Sequence, residues 1–191
     1  MSTEHSIVNL LTGYRVVLMV ENQAQLLRVA RMARSHVLLF SHGNLFDFLP
    51  WLQQSSRDAY AVYIDIDHMN GVHADATALR YLAEQLHVAG IVSTNPQILA
   101  TAKTFGLETI LQLFAADSMG LESMLETIDP ATIDLFSISP GLVIPYISAS
   151  ITRILPHKFI GSGLISTEQQ IQAILRAGAI GVAVRQSDLW S

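Results

Sequence analysis

Short apolar blocks recur along the chain at nearly regular intervals. They are Arg15 to Val20, His36 to Phe40, Ala61 to Ile66, Gly90 to Ser93, Thr109 to Phe114, Asp134 to Ser139, Lys158 to Gly161 and Ile180 to Val184. Each is rich in β-branched and other apolar residues with little alternation, the pattern of parallel strands covered on both faces. Between them run segments with the helical period: Leu26, Leu27, Ala30 and Ala33; Ala78, Leu79, Leu82 and Leu86; Ile171, Ile174 and Leu175. The repeat of roughly 18 to 30 residues is a compact β-loop-α unit. Eight such units predict a small closed α/β barrel of the (β/α)8, TIM-like kind with a parallel sheet; seven units or a distorted barrel would also fit.

Punctuation agrees with this parsing. Ser166 and Gln169 have capping-box spacing, and Gly178 follows the last periodic turn. Gly90 and Gly106 each stand before a strand, where a helix is expected to end. No linker or low-complexity tract interrupts 1–191, so one barrel domain is expected, with residues 1–13 a lead-in packed across the barrel bottom. A chain of 191 residues, half of them hydrophobic and 14% charged, has the composition to bury one large core.

Composition narrows the chemistry. There is no cysteine, so disulfides and thiolate catalysis are excluded. The longest apolar runs, such as Val16 to Val20, are far shorter than a bilayer span, and Met1 to His5 lack the order of a secretion signal. A soluble cytoplasmic protein is the expectation. The net charge is −5 with only two lysines, Lys103 and Lys158, which is unlike a dedicated nucleic-acid binder. Any RNA contact would need a local patch. Arg28, Arg31 and Arg34 recur every three residues and form the candidate stripe, although such stripes are usually solvated faces.

Barrel sites form at the C-terminal strand ends. The residues there are Ser41, His42 and Gly43; Asp67 and His68; Ser93 and Thr94; Asp117 and Ser118; Ser139, Pro140 and Gly141; Ser162 and Gly163; Arg185 and Gln186. The run Gly161-Ser162-Gly163 suits close backbone approach to phosphate oxygens, in the position where this fold usually binds phosphate, with Arg185 placed to add a guanidinium. A simple tight turn is the plainer explanation of the same glycines. Asp67, Ser93, Thr94 and Asp117 are candidates for ligand hydroxyls. Asp65, Asp67, His68 and His73 are the one grouping with metal-ligand chemistry, but no third close ligand is evident and no metal is expected. Neither lysine sits at a strand end suited to a Schiff base, and no catalytic residue is assigned.

At these positions the sequence resembles the glycerol-3-phosphate-responsive antiterminators from about Val37 to Trp190. The resemblance rests on Asp67-His68-Met69-Asn70-Gly71-Val72, Gly90-Ile91-Val92-Ser93-Thr94 and Leu113-Phe114-Ala115-Ala116-Asp117-Ser118. Ser139-Pro140-Gly141, Ser162-Gly163-Leu164-Ile165 and Leu189-Trp190 complete it. It implies a barrel regulator without a catalytic step or a cofactor, which binds glycerol 3-phosphate or a similar phosphorylated metabolite and acts on leader mRNA of glycerol-utilisation genes. Homodimer formation is compatible with it. Departures fall at mouth positions: Asp65 and His68 replace the family's strand-three His pattern, Gln112 stands for an arginine and Ser137 for an acid. Ser162 stands for the first glycine of a pair, and Val184 and Arg185 for small hydroxylic residues. Arg185 could restore the charge missing at Gln112, or the ligand could differ. Two alternatives therefore stand: a small barrel enzyme acting on a phosphorylated metabolite, and a ligand-binding regulator without RNA binding.

Overall fold

The computed structural model describes residues 6–32, 36–54, 60–115, 128–155 and 157–190. Eight parallel strands close on themselves: β1 (Val16–Val20), β2 (His36–Phe40), β3 (Tyr60–Asp65), β4 (Gly90–Ser93), β5 (Glu108–Phe114), β6 (Leu135–Ser139), β7 (Phe159–Ser162) and β8 (Gly181–Val184). The order around the barrel follows the chain, with β8 paired back to β1 through Val16↔Val182 and Leu18↔Val184. All eight strand positions match the sequence pattern to within about a residue or two, and neither a seven-unit nor an open sheet forms. Above the barrel, Gly43–Asn44 pairs with Met69–Asn70 and ties the loops that follow β2 and β3.

Outward-facing strand residues such as Leu18, Leu38, Phe40, Ile64, Ile91, Leu111, Phe136 and Val182 pack under the helices. Those helices include α2 (Gln23–Val29), α3 (Leu45–Gln54), α4 (Ala76–Glu84), α5 (Pro96–Thr104), α6 (Ile144–Ile154) and α7 (Glu168–Arg176). Three boundaries differ from the sequence expectation. Helix α2 stops at Val29, so Leu26 and Val29 form its buried face and Leu27 is exposed. The capping box of α7 is one residue later than expected, with Thr167 accepting from the Gln170 N–H. Gly90 lies inside β4, where a Cβ would come within 2.7 Å of the Tyr63 ring; close packing, not a helix stop, is its purpose.

The barrel interior holds a second apolar cluster, and the lead-in enters it. Residues Ile7–Gly13 form helix α1, with the Ser6 side chain accepting from the Asn9 N–H. Ile7 and Leu11 pack with Val17, Val37, Tyr63, Ile110, Leu135, Ile160 and Ala183, closing the bottom. Glu108, the first residue of β5, anchors this plug. Its carboxylate accepts from the Ile7 N–H at 3.0 Å and from the Tyr63 hydroxyl, which is fully buried. A carboxylate at a helix start also meets the positive end of the dipole. Burial, opposed by these hydrogen bonds, holds Glu108 above the usual carboxylate range; burial and then the Glu108 charge push Tyr63 well up.

Replacing Glu108 with alanine strands the Tyr63 hydroxyl and the Ile7 amide, at about 1 to 3 kcal/mol. At about 2 to 4 °C per kcal/mol, a thermal melt will show a fall of several degrees. The pH dependence has a definite sign. A raised carboxylate favours the folded state fully below its unfolded value, and that contribution disappears as pH rises through the raised value. Urea melts from about pH 4 to neutrality should therefore show Glu108→Gln gaining on the wild type as pH rises. A constant difference between the two proteins would show that Glu108 does not titrate as described.

Candidate functional site

Strand alternation decides which side chains reach the mouth. On β5, β6 and β7 the inward positions above the apolar interior carry Gln112, Ser137 and Ser162. Gln112 and Ser137 are register partners on adjacent strands. Ser162 Oγ accepts from Ser137 Oγ at 3.0 Å and from Gln112 Nε2 at 3.4 Å. Ser137 and Ser162 are buried, so this is a neutral hydrogen-bonded patch on one side of the mouth floor.

The glycines flanking Ser162 differ in purpose. A Cβ on Gly161 would come within 2.9 Å of both Ile144 and Ile174, so Gly161 lets α6 and α7 pack against β7 and faces away from the mouth. Gly163 adopts φ +76° and Leu164 φ +58°, turning the chain over the strand end. A Cβ on Gly163 would meet Ser139 Oγ at 2.7 Å, so the turn is held against the end of β6. Of the sequence run, the structure therefore leaves Ser162 and Gly163 toward the mouth and assigns Gly161 to packing.

The other side of the mouth is charged. Arg185, two residues beyond the β8–β7 pairing of Ala183 with Ser162, places Nε 2.9 Å from Glu21 Oε1 at the end of β1. The same oxygen lies 3.3 Å from His42 Nδ1 and accepts from Ser41 Oγ at 3.3 Å. Gln25 supports this corner, accepting from the Glu21 N–H and donating to the Arg185 carbonyl. The His42 ring lies 5.2 Å from the His68 ring, tilted by 31°. His68 Nδ1 in turn bonds both oxygens of Asp65, at 2.9 and 3.0 Å. Burial raises the Asp65 carboxyl above its ordinary value, and His68 partly offsets this.

Asp67, Ser93 and Thr94 come together, but with one another. Asp67 accepts from Ser93 Oγ at 2.7 Å, Thr94 N–H at 2.6 Å and Thr94 Oγ1 at 2.8 Å, which locks the β3 and β4 ends. Asp65 and Asp67 thus have separate partners, and among the described residues no three His, Asp or Glu side chains gather as a metal site. Asp117 lies outside the described residues, as does Arg34. Arg28 is on α2 and pairs with Asp188 at 3.1 Å; Arg31 follows the end of the helix. The expected basic stripe is thus neither on one continuous helix nor free of acidic neighbours.

Glu21, His42 and the Asp65–His68 pair are the site residues that strand-end reading undervalued. Glu21 directly follows β1, so the same rule that found Asp67 points to it. The contacts of His42 and His68 carry no such signal, because they join loops from different units.

Among the described residues, no helix is long and apolar enough to cross a membrane. The uncharacterized protein YgcP of Escherichia coli (strain K12) is 20% identical over 185 residues, covering 97% of this chain and 96% of that protein. The solved glycerol uptake operon antiterminator regulatory protein of Listeria monocytogenes matches with a TM-score of 0.79 at 22% identity, over 93% of this chain and 95% of that one. An antiterminator-related protein from Thermotoga maritima gives 0.76 at 21%, over 92% and 96%. The barrel enzyme orotidine 5'-phosphate decarboxylase from Pyrococcus horikoshii gives 0.61 at 13%, over 89% and 88%. At such identities the structural likenesses establish the fold, shared by regulators and enzymes alike. The sequence model of the glycerol-3-phosphate responsive antiterminators matches residues 16–190, which take in all eight strands, and the chain belongs to that family.

Proposed function

We propose that this protein is a ligand-responsive regulator: a phosphorylated polyol of the glycerol 3-phosphate class binds in the barrel mouth, and the bound form acts on leader RNA. The observation that carries the ligand reading is Arg185 directly after β8, the strand that pairs with the Ser162 end of β7. Its contact with Glu21 uses Nε, so the two terminal nitrogens keep N–H groups for a bidentate phosphate contact. They stand next to the β7 and β8 loops, where barrels usually hold phosphate. Ser162 and Gly163 stand at the end of β7, the strand that pairs with β8 through Ser162 and Ala183. In this chain the contribution of Asp67, Ser93 and Thr94 is to hold the mouth in shape, since their polar atoms are bonded together. Ligand binding that bridges the β7, β8 and β1 ends would favour one arrangement of the mouth loops, and RNA affinity would follow that population.

A second reading, a small enzyme on a phosphorylated metabolite, is favoured by the Asp65–His68 pair. A carboxylate that orients an imidazole is a general-base arrangement.

Thermal-shift titration with glycerol 3-phosphate, against glycerol and inorganic phosphate, tests the ligand. At about a hundredfold over the dissociation constant the native state gains roughly 2.7 kcal/mol. At about 2 to 4 °C per kcal/mol, the melt should rise by about 5 to 10 °C. Arg185→Ala should weaken the ester by at least about tenfold, because a charged hydrogen bond is removed. An unchanged affinity would remove Arg185 from the phosphate site. RNA affinity should fall with added salt and rise with ligand. RNA binding indifferent to the ester would end the regulator reading, and turnover of the ester would favour the enzyme.

A further inference from the structure

The histidine pair at the mouth has no part in the phosphate contact, and its arrangement is specific. His42 and His68 come from different loops, after β2 and β3, and the Gly43–Asn44 and Met69–Asn70 pairing ties those loops together. Each imidazole turns Nδ1 toward its own carboxylate: His68 to Asp65, His42 to Glu21. Both carboxylates are largely covered, at 15% and 20% side-chain exposure, while both rings are about half exposed. The Asp65 oxygens that hydrogen-bond His68 accept, so its Nδ1 carries the hydrogen and in the neutral ring Nε2 keeps a lone pair; the 3.3 Å approach of His42 Nδ1 to Glu21 favours the same tautomer there. The two ring centres lie 5.2 Å apart, with the planes tilted by 31°.

We propose that His42 and His68 are ligand-binding residues that read a vicinal diol, each Nε2 accepting from one of two neighbouring hydroxyls. This rests on the mouth being the ligand site, and it assigns the end of the ligand remote from the phosphate. Three observations favour a diol over other occupants. Asp67, the expected hydroxyl reader, has its oxygens bonded to Ser93 and Thr94. A metal would need a third ligand, and none gathers there among the described residues. An anion would face two lone pairs backed by the Glu21 and Asp65 carboxylates, with Arg185 balancing only one of them.

The spacing joins the two ends of such a ligand. Glu21 Oε1 contacts both Arg185 Nε and His42 Nδ1, so the guanidinium and the first imidazole flank one carboxylate oxygen. A phosphate on the terminal nitrogens of Arg185 would leave a short carbon chain running toward His42 and His68. The charged groups in contact with the pair among the described residues are Glu21 and Asp65, with Arg185 reached through Glu21 and Asp67 acting on Asp65.

Calorimetric titrations of the full chain with glycerol 3-phosphate and with n-propyl phosphate, which carries neither hydroxyl, test this. The wild type should prefer glycerol 3-phosphate by about tenfold or more. His42→Asn and His68→Asn keep an amide near the Nδ1 position but remove Nε2. Each should bring the preference down toward unity, with the affinity for n-propyl phosphate changed by less than about twofold. His68→Gln, whose amide reaches the Nε2 position, should restore part of it. A preference that survives both asparagine variants overturns the diol assignment and leaves the phosphate site standing. Failure of the wild type to bind either ester overturns both.

Discussion

An eight-stranded parallel barrel encloses a space that its own side chains must fill, and it has two ends that must be closed differently. Below the middle, Val17, Val37, Ile110, Leu135 and Ile160 fill the interior with apolar bulk. The bottom is then sealed by α1 through Ile7 and Leu11, while Glu108 satisfies the first amide of that helix and the hydroxyl of Tyr63. Gly90 makes room for the Tyr63 ring and Gly181 for Leu11. Among the described residues it is the lead-in helix that packs into the bottom of the interior cluster and supplies the seal.

Closure at the bottom leaves the mouth as the place where inward-facing positions can be polar. The polar residues there divide by strand. From β5 to β7 they are neutral and bonded inward, Gln112 and Ser137 to Ser162. From β8 through β3 they are charged groups and imidazoles linked in a line from Arg185 to Glu21, His42, His68 and Asp65. Because Gln112 and Ser137 are register partners, substituting one charged residue there without the other would leave an unpaired charge in a part-buried layer. The family resemblance places an arginine and an acid at these two positions, and a neutral pair occupies them here. The loss of both charges together is what burial would require.

The line of charges also explains why some candidate residues have structural duties. Asp67 is satisfied by Ser93 and Thr94, which joins two strand ends and shapes the wall beside the His68 loop. Gly161 is needed by the helices outside the barrel, and Arg28 by the segment after β8. Residues at the right height on the right strands thus separate into those facing the mouth and those that hold it.

The order and position of all eight strands were legible in the apolar blocks, because a strand buried on both faces needs a continuous apolar run and the parallel sheet repeats that demand. The mouth was legible as a set of strand ends for the same reason, and Arg185, Ser162 and Gly163 were found by that rule. Helix ends were less legible: α2 stops at Val29 although the apolar period continues to Ala33, since packing against the barrel, not periodicity, sets its length. What the sequence could not convey is which polar residue meets which. Glu21, His42 and His68 lie in separate units, and only closure of the barrel brings β8 beside β1 and sets the loops after β1, β2 and β3 around one charged corner. The chain determined its strands and their height through local patterning; the tertiary structure decided the pairing of charges, because such pairs act across distances that local patterning does not encode.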